Sequence, residues 1–174
     1  MIGFGVVRNI AVPVVLVGAM MAASAYGESS MSSSAAKEGP ASASTINDSV
    51  PPGQVTRLTE QNVMLRAVTA QGEEELIIKG VRPAGTRAPI HTHPYGGSTC
   101  VLEGAMTLYM QDSAPVTKSA GSCYYMPPGM AMSGANEGTV PAVLIDWFIT
   151  PKGIGPWKVI EPGHQDIADQ FGGD

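Results

Sequence analysis

Charged residues are scarce in this chain. They make up 14% of its 174 residues, and the formal net charge at pH 7 is −5. Because no run of basic residues occurs, the composition argues against a nucleic-acid partner. Aromatic residues reach only 6%, while 21 Gly and 14 Pro interrupt the sequence. This frequency of helix-breaking residues disfavours long surface helices, and the length suits one domain of ordinary size.

Short runs rich in Val, Ile, Thr and Tyr, separated by Gly and Pro, favour an all-β fold instead. We expect strands at residues 63–69, 75–81, 87–93, 99–103, 105–110, 122–126, 130–135, 140–149 and 157–160. Closely spaced strands of this length are typical of a sandwich or barrel. The barrel domain is predicted over residues 54–162, followed by a polar C-terminal tail over residues 163–174.

The first 25 residues have the pattern of a signal peptide. Arg8 precedes an apolar run, and Ala23-Ser24-Ala25 forms a small-x-small cleavage pattern before Tyr26. Export to the periplasm or the outside follows if this segment is removed. The alternative is a retained membrane anchor, because the apolar stretch extends to about 17 residues. Residues 26–53, rich in Ser, Ala, Gly and Pro, are predicted to be a flexible linker.

The chain has two cysteines, Cys100 and Cys123. An oxidising compartment would allow them to form one disulfide. Two buried thiols and metal ligation are the alternatives, since sequence does not show whether the two Cβ atoms approach each other.

Two half-motifs are the most informative feature of the sequence. The first runs from Gly85 through His91-Thr92-His93 to Gly104, and the second runs from Gly121 through Pro127-Pro128-Gly129 to Asn136. Together they resemble the paired signature of the cupin family. The resemblance implies a single cupin jelly-roll β-barrel of two antiparallel sheets. It also implies a small-molecule ligand and a homodimer.

The HxH spacing carries the candidate metal site. Side chains at positions i and i+2 of a strand point to the same face, which for His91 and His93 is the inside of the barrel. Two converging imidazoles can hold a divalent metal ion such as Fe, Mn, Ni, Zn or Cu.

The chain departs from the family pattern at two metal-ligand positions. Gly97, or Ser98 with the longer family spacing, stands where the first motif has Glu, and Met132 stands where the second motif has His. One hypothesis keeps a metal on His91 and His93, with Met132 as a further ligand that favours copper. The methionine would otherwise be ordinary core. The other hypothesis is a metal-free barrel that binds a ligand or a partner.

Three further residues are candidates for ligand binding. Asp146 shares strand parity with Ala142, Leu144 and Phe148, so it is predicted to point into the barrel, where His91 or His93 would be its partner. An outward position is the alternative. Arg87 is placed at the cavity mouth or on the plain surface, and Tyr95 is either a ligand contact or a core aromatic.

The sequence therefore predicts an exported small cupin that binds a small molecule, with a divalent metal on His91 and His93. If it is catalytic, the resemblance implies dioxygenase, isomerase or lyase chemistry. A metal-free binding or interaction module without activity is the alternative. Membrane association is expected only if the N-terminal segment is retained.

Overall fold

The computed structural model describes residues 35–167. The predicted signal peptide lies outside this range, as do residues 26–34 and 168–174. The described chain forms twelve strands: β1 Gln54–Val55, β2 Thr59–Val68, β3 Glu73–Arg82, β4 Thr86–Arg87, β5 His91–Thr92, β6 Gly97–Glu103, β7 Ala105–Met110, β8 Val116–Ser119, β9 Cys123–Met126, β10 Met132–Asn136, β11 Ala142–Pro151 and β12 Lys158–Val159.

These strands form two sheets, as the all-β prediction required. One is five-stranded, in the order β2-β3-β11-β6-β9. The other is seven-stranded, with β1-β4-β10-β5-β12 as its path and β7 and β8 attached through β10. Among the described strand pairs, all but β1–β4 are antiparallel. The fold class predicted from the sequence, a jelly-roll barrel of two antiparallel sheets, is confirmed.

The alternation of buried and exposed residues along β3 and β11 explains how the five-stranded sheet is held. Leu76 and Ile78 of β3 and Leu144 and Phe148 of β11 are buried on the inner face. Since side chains alternate along a strand, residues of the same parity line the space between the sheets. Leu76, Ile78 and Phe148 form one core cluster with Leu108, Met126 and Met132, and Leu144 belongs to a second cluster.

The strand predicted over residues 87–93 is interrupted in the structure. It divides into β4 and β5 around Ala88-Pro89-Ile90, because Pro89 has no N–H to contribute to a ladder. The Ile90 N–H donates to the Glu161 carboxylate instead, at 2.7 Å. Strands β1 and β8 were not predicted. Residues 116–119 of β8 are mostly exposed and lack the alternation that marks a half-buried strand.

The described part of the predicted flexible linker packs on the barrel. The Lys37 N–H donates to the Pro94 carbonyl, and the Ala43 N–H donates to the Ile160 carbonyl. Ile46 is 5% exposed and belongs to a core cluster with Ile90 and Ile160. The average composition of residues 26–53 predicts flexibility, but in the described part the buried Ile46, these backbone hydrogen bonds and the side-chain hydrogen bonds of Asn47 to residues 110–113 attach this stretch.

Cys100 and Cys123 form a disulfide. They are register partners in the β6–β9 pair, with their Cα atoms 4.0 Å apart. Cys123 is exposed, so the bond lies on the outer face of the five-stranded sheet. Sequence had left three alternatives open, and the strand register that brings the two residues together is a tertiary property.

The described part of the predicted polar tail, residues 163–167, packs on the barrel, and the Arg57 guanidinium donates to the Asp166 carbonyl. Ile167 is buried, and its N–H donates to the His164 carbonyl in a short turn. Within residues 35–167 we find no helix with the length and apolar character needed to cross a membrane.

Candidate functional site

The inner faces of the two sheets enclose a cavity of about 60 Å³. Its walls carry polar residues from both sheets and from the segment after β11. The side chains with polar atoms in this lining are those of Thr56, Arg57, Arg82, His91, His93, Thr99, Tyr124, Asp146 and Trp157. Apolar side chains, among them Met126, Met132 and Phe148, line the rest. A cavity this small suits an ion with a few waters or a molecule of a few heavy atoms, since pockets for larger ligands measure about 300–1,000 Å³.

His91 and His93 both point into this cavity, as the HxH spacing predicted. The His91 Nδ1 atom lies 2.7 Å from the Pro89 carbonyl oxygen, and the His93 Nδ1 atom lies 2.9 Å from the Pro156 carbonyl oxygen. A carbonyl oxygen only accepts hydrogen bonds, so each Nδ1 carries the proton. In the neutral rings, both Nε2 atoms therefore present lone pairs. These two atoms are 3.1 Å apart.

The imidazoles are neutral near pH 7. Burial, with a smaller contribution from the neighbouring His93, lowers the pKa of His91 to about 3, although the Pro89 carbonyl opposes this shift. Burial likewise lowers the pKa of His93 to about 4, although the Pro156 carbonyl opposes this shift. A proton shared between the two Nε2 atoms is thus unfavourable at neutral pH. Two lone pairs face each other with no proton between them.

Aromatic rings fix the orientation of both imidazoles. Trp157 packs edge-on against His91, with ring centroids 4.8 Å apart. Phe148 stacks on His93 with centroids 5.1 Å apart and an interplanar angle of 22°. With one ring nitrogen bonded to the backbone and one face covered, each imidazole has little rotational freedom.

The structure explains why Gly97 stands at the family's Glu position. A Cβ atom built on Gly97 would lie 2.5 Å from Cδ1 of Phe148 and 3.2 Å from Cε of Met126. The space a glutamate would need is filled by the ring that stacks on His93. No carboxylate can complete the imidazole pair from this position while Phe148 keeps its place.

Met132 occupies the second position at which the chain departs from the family's metal-ligand pattern. It is buried, lines the cavity and is the register partner of His91 across the β10–β5 pair. Neighbours in antiparallel register share a sheet face, which places its thioether on the same side as the His91 ring. Within residues 35–167, no three side chains of His, Cys, Asp or Glu converge as a metal-binding group. The donor set at this end of the cavity is therefore two imidazoles and a thioether.

Asp146 points into the barrel, and its hydrogen-bond partner is Thr99. The Thr99 hydroxyl donates to Asp146 Oδ1 at 2.5 Å. Burial raises the pKa of Asp146 to about 6, while the Thr99 hydrogen bond and the Arg82 charge oppose the increase. Tyr124 faces the same space, and burial raises the pKa of its hydroxyl. Asp146 thus belongs to a second polar group inside the cavity, and no hydrogen bond joins it to the imidazoles suggested as its partners.

Arg87 and Tyr95, the other predicted ligand contacts, lie outside the cavity lining. Arg87 is buried in a bidentate ion pair with Glu161, at 2.7 Å for both hydrogen bonds. Tyr95 is half-buried in the turn between β5 and β6. Neither the mouth nor the surface position suggested for Arg87 is observed, because Glu161 holds its guanidinium inside.

Sequence reasoning missed Arg82, Thr99 and Tyr124. Arg82 is 4% exposed and lines the cavity. A signal for it was available: Arg82 has the strand parity of Leu76, Ile78 and Gly80, the row of β3 that faces inward. A cation on the apolar face of a strand indicates a buried partner or a ligand.

The fold and the site together define this chain as a small all-β barrel protein with two imidazoles that converge on its interior. The family described as Cupin domain matches residues 80–148, a range that contains both histidines, Met132 and Asp146. With the two half-motifs and the two-sheet barrel, this match shows that the chain belongs to the cupin superfamily. No curated protein sequence matches the chain.

Several solved structures resemble the chain. A conserved protein with a double-stranded β-helix domain from Klebsiella pneumoniae subsp. pneumoniae MGH 78578 is 19% identical, with a TM-score of 0.48 over 62% of this chain and 90% of that chain. A cupin family protein from Methanocaldococcus jannaschii is 19% identical, with a TM-score of 0.45 over 58% and 90%. A Cupin 2 conserved barrel domain protein from Salinispora arenicola CNS-205 is 20% identical, with a TM-score of 0.41 over 51% and 73%.

Proposed function

We propose that this chain is an exported cupin that binds a small molecule in its barrel through a divalent metal held by His91 and His93. One observation carries the metal part of the proposal. Both Nδ1 protons are committed to backbone carbonyls, so two Nε2 lone pairs converge at 3.1 Å in a cavity where protonation is disfavoured. Hydrogen-bond acceptors such as backbone carbonyls, which fix the tautomer in this way, accompany most metal-ligating histidines.

The spacing of the two nitrogens fits one shared ion. Metal–nitrogen bonds of about 2.0–2.1 Å put two ligands on one ion about 2.9–3.4 Å apart, for angles between octahedral and tetrahedral. The observed separation of 3.1 Å falls within that range. Such an ion would act as a Lewis acid towards a small oxygen ligand. The thioethers of Met126 and Met132 in the same cavity add soft donors, which raises the preference for copper.

Metal binding is tested on the mature chain, residues 26–174, purified without chelators and reconstituted separately with Fe, Mn, Ni, Zn and Cu. We expect near-stoichiometric uptake of at least one metal and a higher melting temperature. A ligand at 100 times its dissociation constant stabilises the folded state by about 2.7 kcal/mol. The variant His91→Gln/His93→Gln should lose both effects. His164→Gln is the matched control, because His164 lies outside the cavity lining.

A folded parent protein that takes up none of the five metals would contradict this assignment. The metal-free binding module would then be the better function. Gly97 and Met132 stand where the family pattern has a glutamate and a third histidine, and they support that alternative. They leave the imidazole pair without a carboxylate or a third imidazole.

Export and dimerisation belong to the same proposal. The signal-peptide pattern of residues 1–25 supports export, and so does the Cys100–Cys123 disulfide, because such bonds persist in oxidising compartments. Support for a homodimer comes from the outer face of the five-stranded sheet. Leu65, Trp147 and Tyr125 belong to one cross-strand row on this face and are 39%, 49% and 59% exposed. Contiguous exposed apolar surface commonly marks an interaction site.

Native mass spectrometry of the protein recovered from whole bacteria that express the full sequence checks these three features together. We expect a subunit beginning at Tyr26, lighter by two hydrogens than its reduced form, and assembled as a dimer. Trp147→Asp should shift the assembly to monomer without changing the subunit's processing. A full-length subunit with two alkylatable thiols would contradict export.

A further inference from the structure

We propose that the ligand of this cavity is a small monoanion, such as a carboxylate, whose charge is bound by Arg82. This inference rests on the proposed function in one respect only, that the barrel cavity is the ligand site. Arg82 is 4% exposed and lines the cavity. Its Nη1 donates to the Thr56 carbonyl at 2.7 Å, but its Nε–H has no hydrogen-bond partner among the described residues.

Two buried guanidinium N–H groups among the described residues lack a partner, on Arg82 and on Arg87, and of these side chains Arg82 alone lines the cavity, where an acceptor can bind. Leaving a buried donor unsatisfied costs about 1–3 kcal/mol, and more when the group is charged. Arginine only donates, so its missing partner must be an acceptor. Carboxylates are the acceptors whose geometry fits the guanidinium edge best.

The charges around the cavity favour an anion. Two arginines, Arg82 and the more exposed Arg57, line it against a single carboxylate, Asp146. Arg82 remains protonated, although burial lowers its pKa to about 10. Apart from the two imidazoles, the described lining therefore carries more cationic than anionic side chains, which favours an anion.

The cavity volume limits the anion to a few heavy atoms. A cavity of about 60 Å³ suits a molecule of acetate size. One end of such an anion would face the His91 and His93 Nε2 atoms, and its carboxylate would face Arg82.

Asp146 sets how strongly Arg82 attracts an external anion. The two groups interact through their charges, and no hydrogen bond joins them, since Thr99 holds the Asp146 carboxylate. An incoming carboxylate therefore shares the electrostatic attraction of Arg82 with Asp146, and it does not have to break a hydrogen bond between them. Removing the Asp146 charge at constant shape should strengthen anion binding.

The test is a nitrogen-15 NMR titration of the mature chain that follows the Arg82 Nε–H signal, assigned by its loss in Arg82→Lys. Sodium acetate and acetamide are the two probes, because they have the same number of heavy atoms and differ in charge. Ionic strength is held constant with sodium chloride, and the titrations are run without metal and with Zn²⁺. We expect acetate to shift the Nε–H proton downfield, with an affinity at least tenfold above that of acetamide.

Three variants sharpen the result. Asp146→Asn should bind acetate at least threefold more tightly than the parent. Arg82→Gln should abolish binding, and Arg66→Gln, which removes an exposed arginine outside this cavity, should leave it unchanged. If Arg82→Gln does not fold, Asp146→Asn still decides, since weaker or equal acetate binding in that variant contradicts the proposed role of Arg82.

The outcomes separate this inference from the proposed function. A protein that binds metal but shows no acetate-dependent shift at Arg82, or equal shifts with acetamide, overturns the anion site and leaves the metal site standing. A protein that binds acetate at Arg82 but takes up no metal supports the anion site and contradicts the metal.

Discussion

Replacing Glu161 by Gln is expected to destabilise the barrel by about 3–5 kcal/mol, because it leaves the Arg87 guanidinium buried without a counter-charge. Glu161 accepts both Arg87 hydrogen bonds at 2.7 Å and a third from the Ile90 N–H at 2.7 Å. Burial alone would raise the pKa of Glu161, but the Arg87 and Ile90 hydrogen bonds hold it below its ordinary value. The carboxylate stays ionised, and its loss removes an ion that three donors require.

Equilibrium unfolding in urea measures this loss. The control is Glu74→Gln, which breaks the Arg66–Glu74 ion pair near the surface and should cost no more than about 1 kcal/mol. The double variant Arg87→Met/Glu161→Leu should recover most of the stability lost by Glu161→Gln, since no unpaired charge then remains inside. A Glu161→Gln protein within about 1 kcal/mol of the parent would show that the buried pair is not needed for stability.

Acidification from pH 7 to 4.5 is expected to destabilise the metal-free protein by roughly 2–3 kcal/mol, at about 1.4 kcal/mol per pKa unit. The folded pKa values of His91 and His93, about 3 and about 4, lie below the unfolded value of 6.5. The unfolded chain therefore binds more protons between pH 6.5 and 4. Stability from these two groups is complete above pH 6.5 and is lost as the pH falls towards the folded values.

Asp146 opposes this trend without reversing it. Its pKa is raised from 3.8 to about 6, so the folded chain binds the extra proton between those values and gains stability as the pH falls. One group shifted by about two units offsets only part of two histidines shifted by about three. His91→Gln/His93→Gln should flatten the loss of stability between pH 7 and 4.5, and Asp146→Asn should steepen it. Parallel pH profiles for the parent and the double glutamine variant would contradict the assignment.

Much of the barrel and half of the candidate site could be predicted from local sequence patterns. Strand parity alone placed His91 and His93 on one face and aligned Asp146 with the buried row of β11. The two half-motifs, with glycines at their turns, indicated the cupin barrel. These predictions hold because side-chain direction along a strand is a local property, set by backbone geometry.

The partners of these side chains could not be predicted in the same way. Arg87 is 74 residues from Glu161, and Asp146 is 47 residues from Thr99. The Phe148 ring occupies the space beside Gly97 only because β11 lies next to β6. The stretch before β1 packs on the barrel because Ile46 contacts a core cluster that includes Ile90 and Ile160. The average composition of residues 26–53 does not reveal this contact.

The sequence by itself thus determined the architecture and which strand faces carry polar groups. Only the tertiary structure decided that the two Nε2 atoms converge at 3.1 Å, that Arg82 in the same cavity lining keeps a donor unpaired, and that Cys100 meets Cys123. The reason is physical. Direction along a strand follows from neighbouring residues, whereas distances between strands follow from register and sheet order, which long-range packing sets.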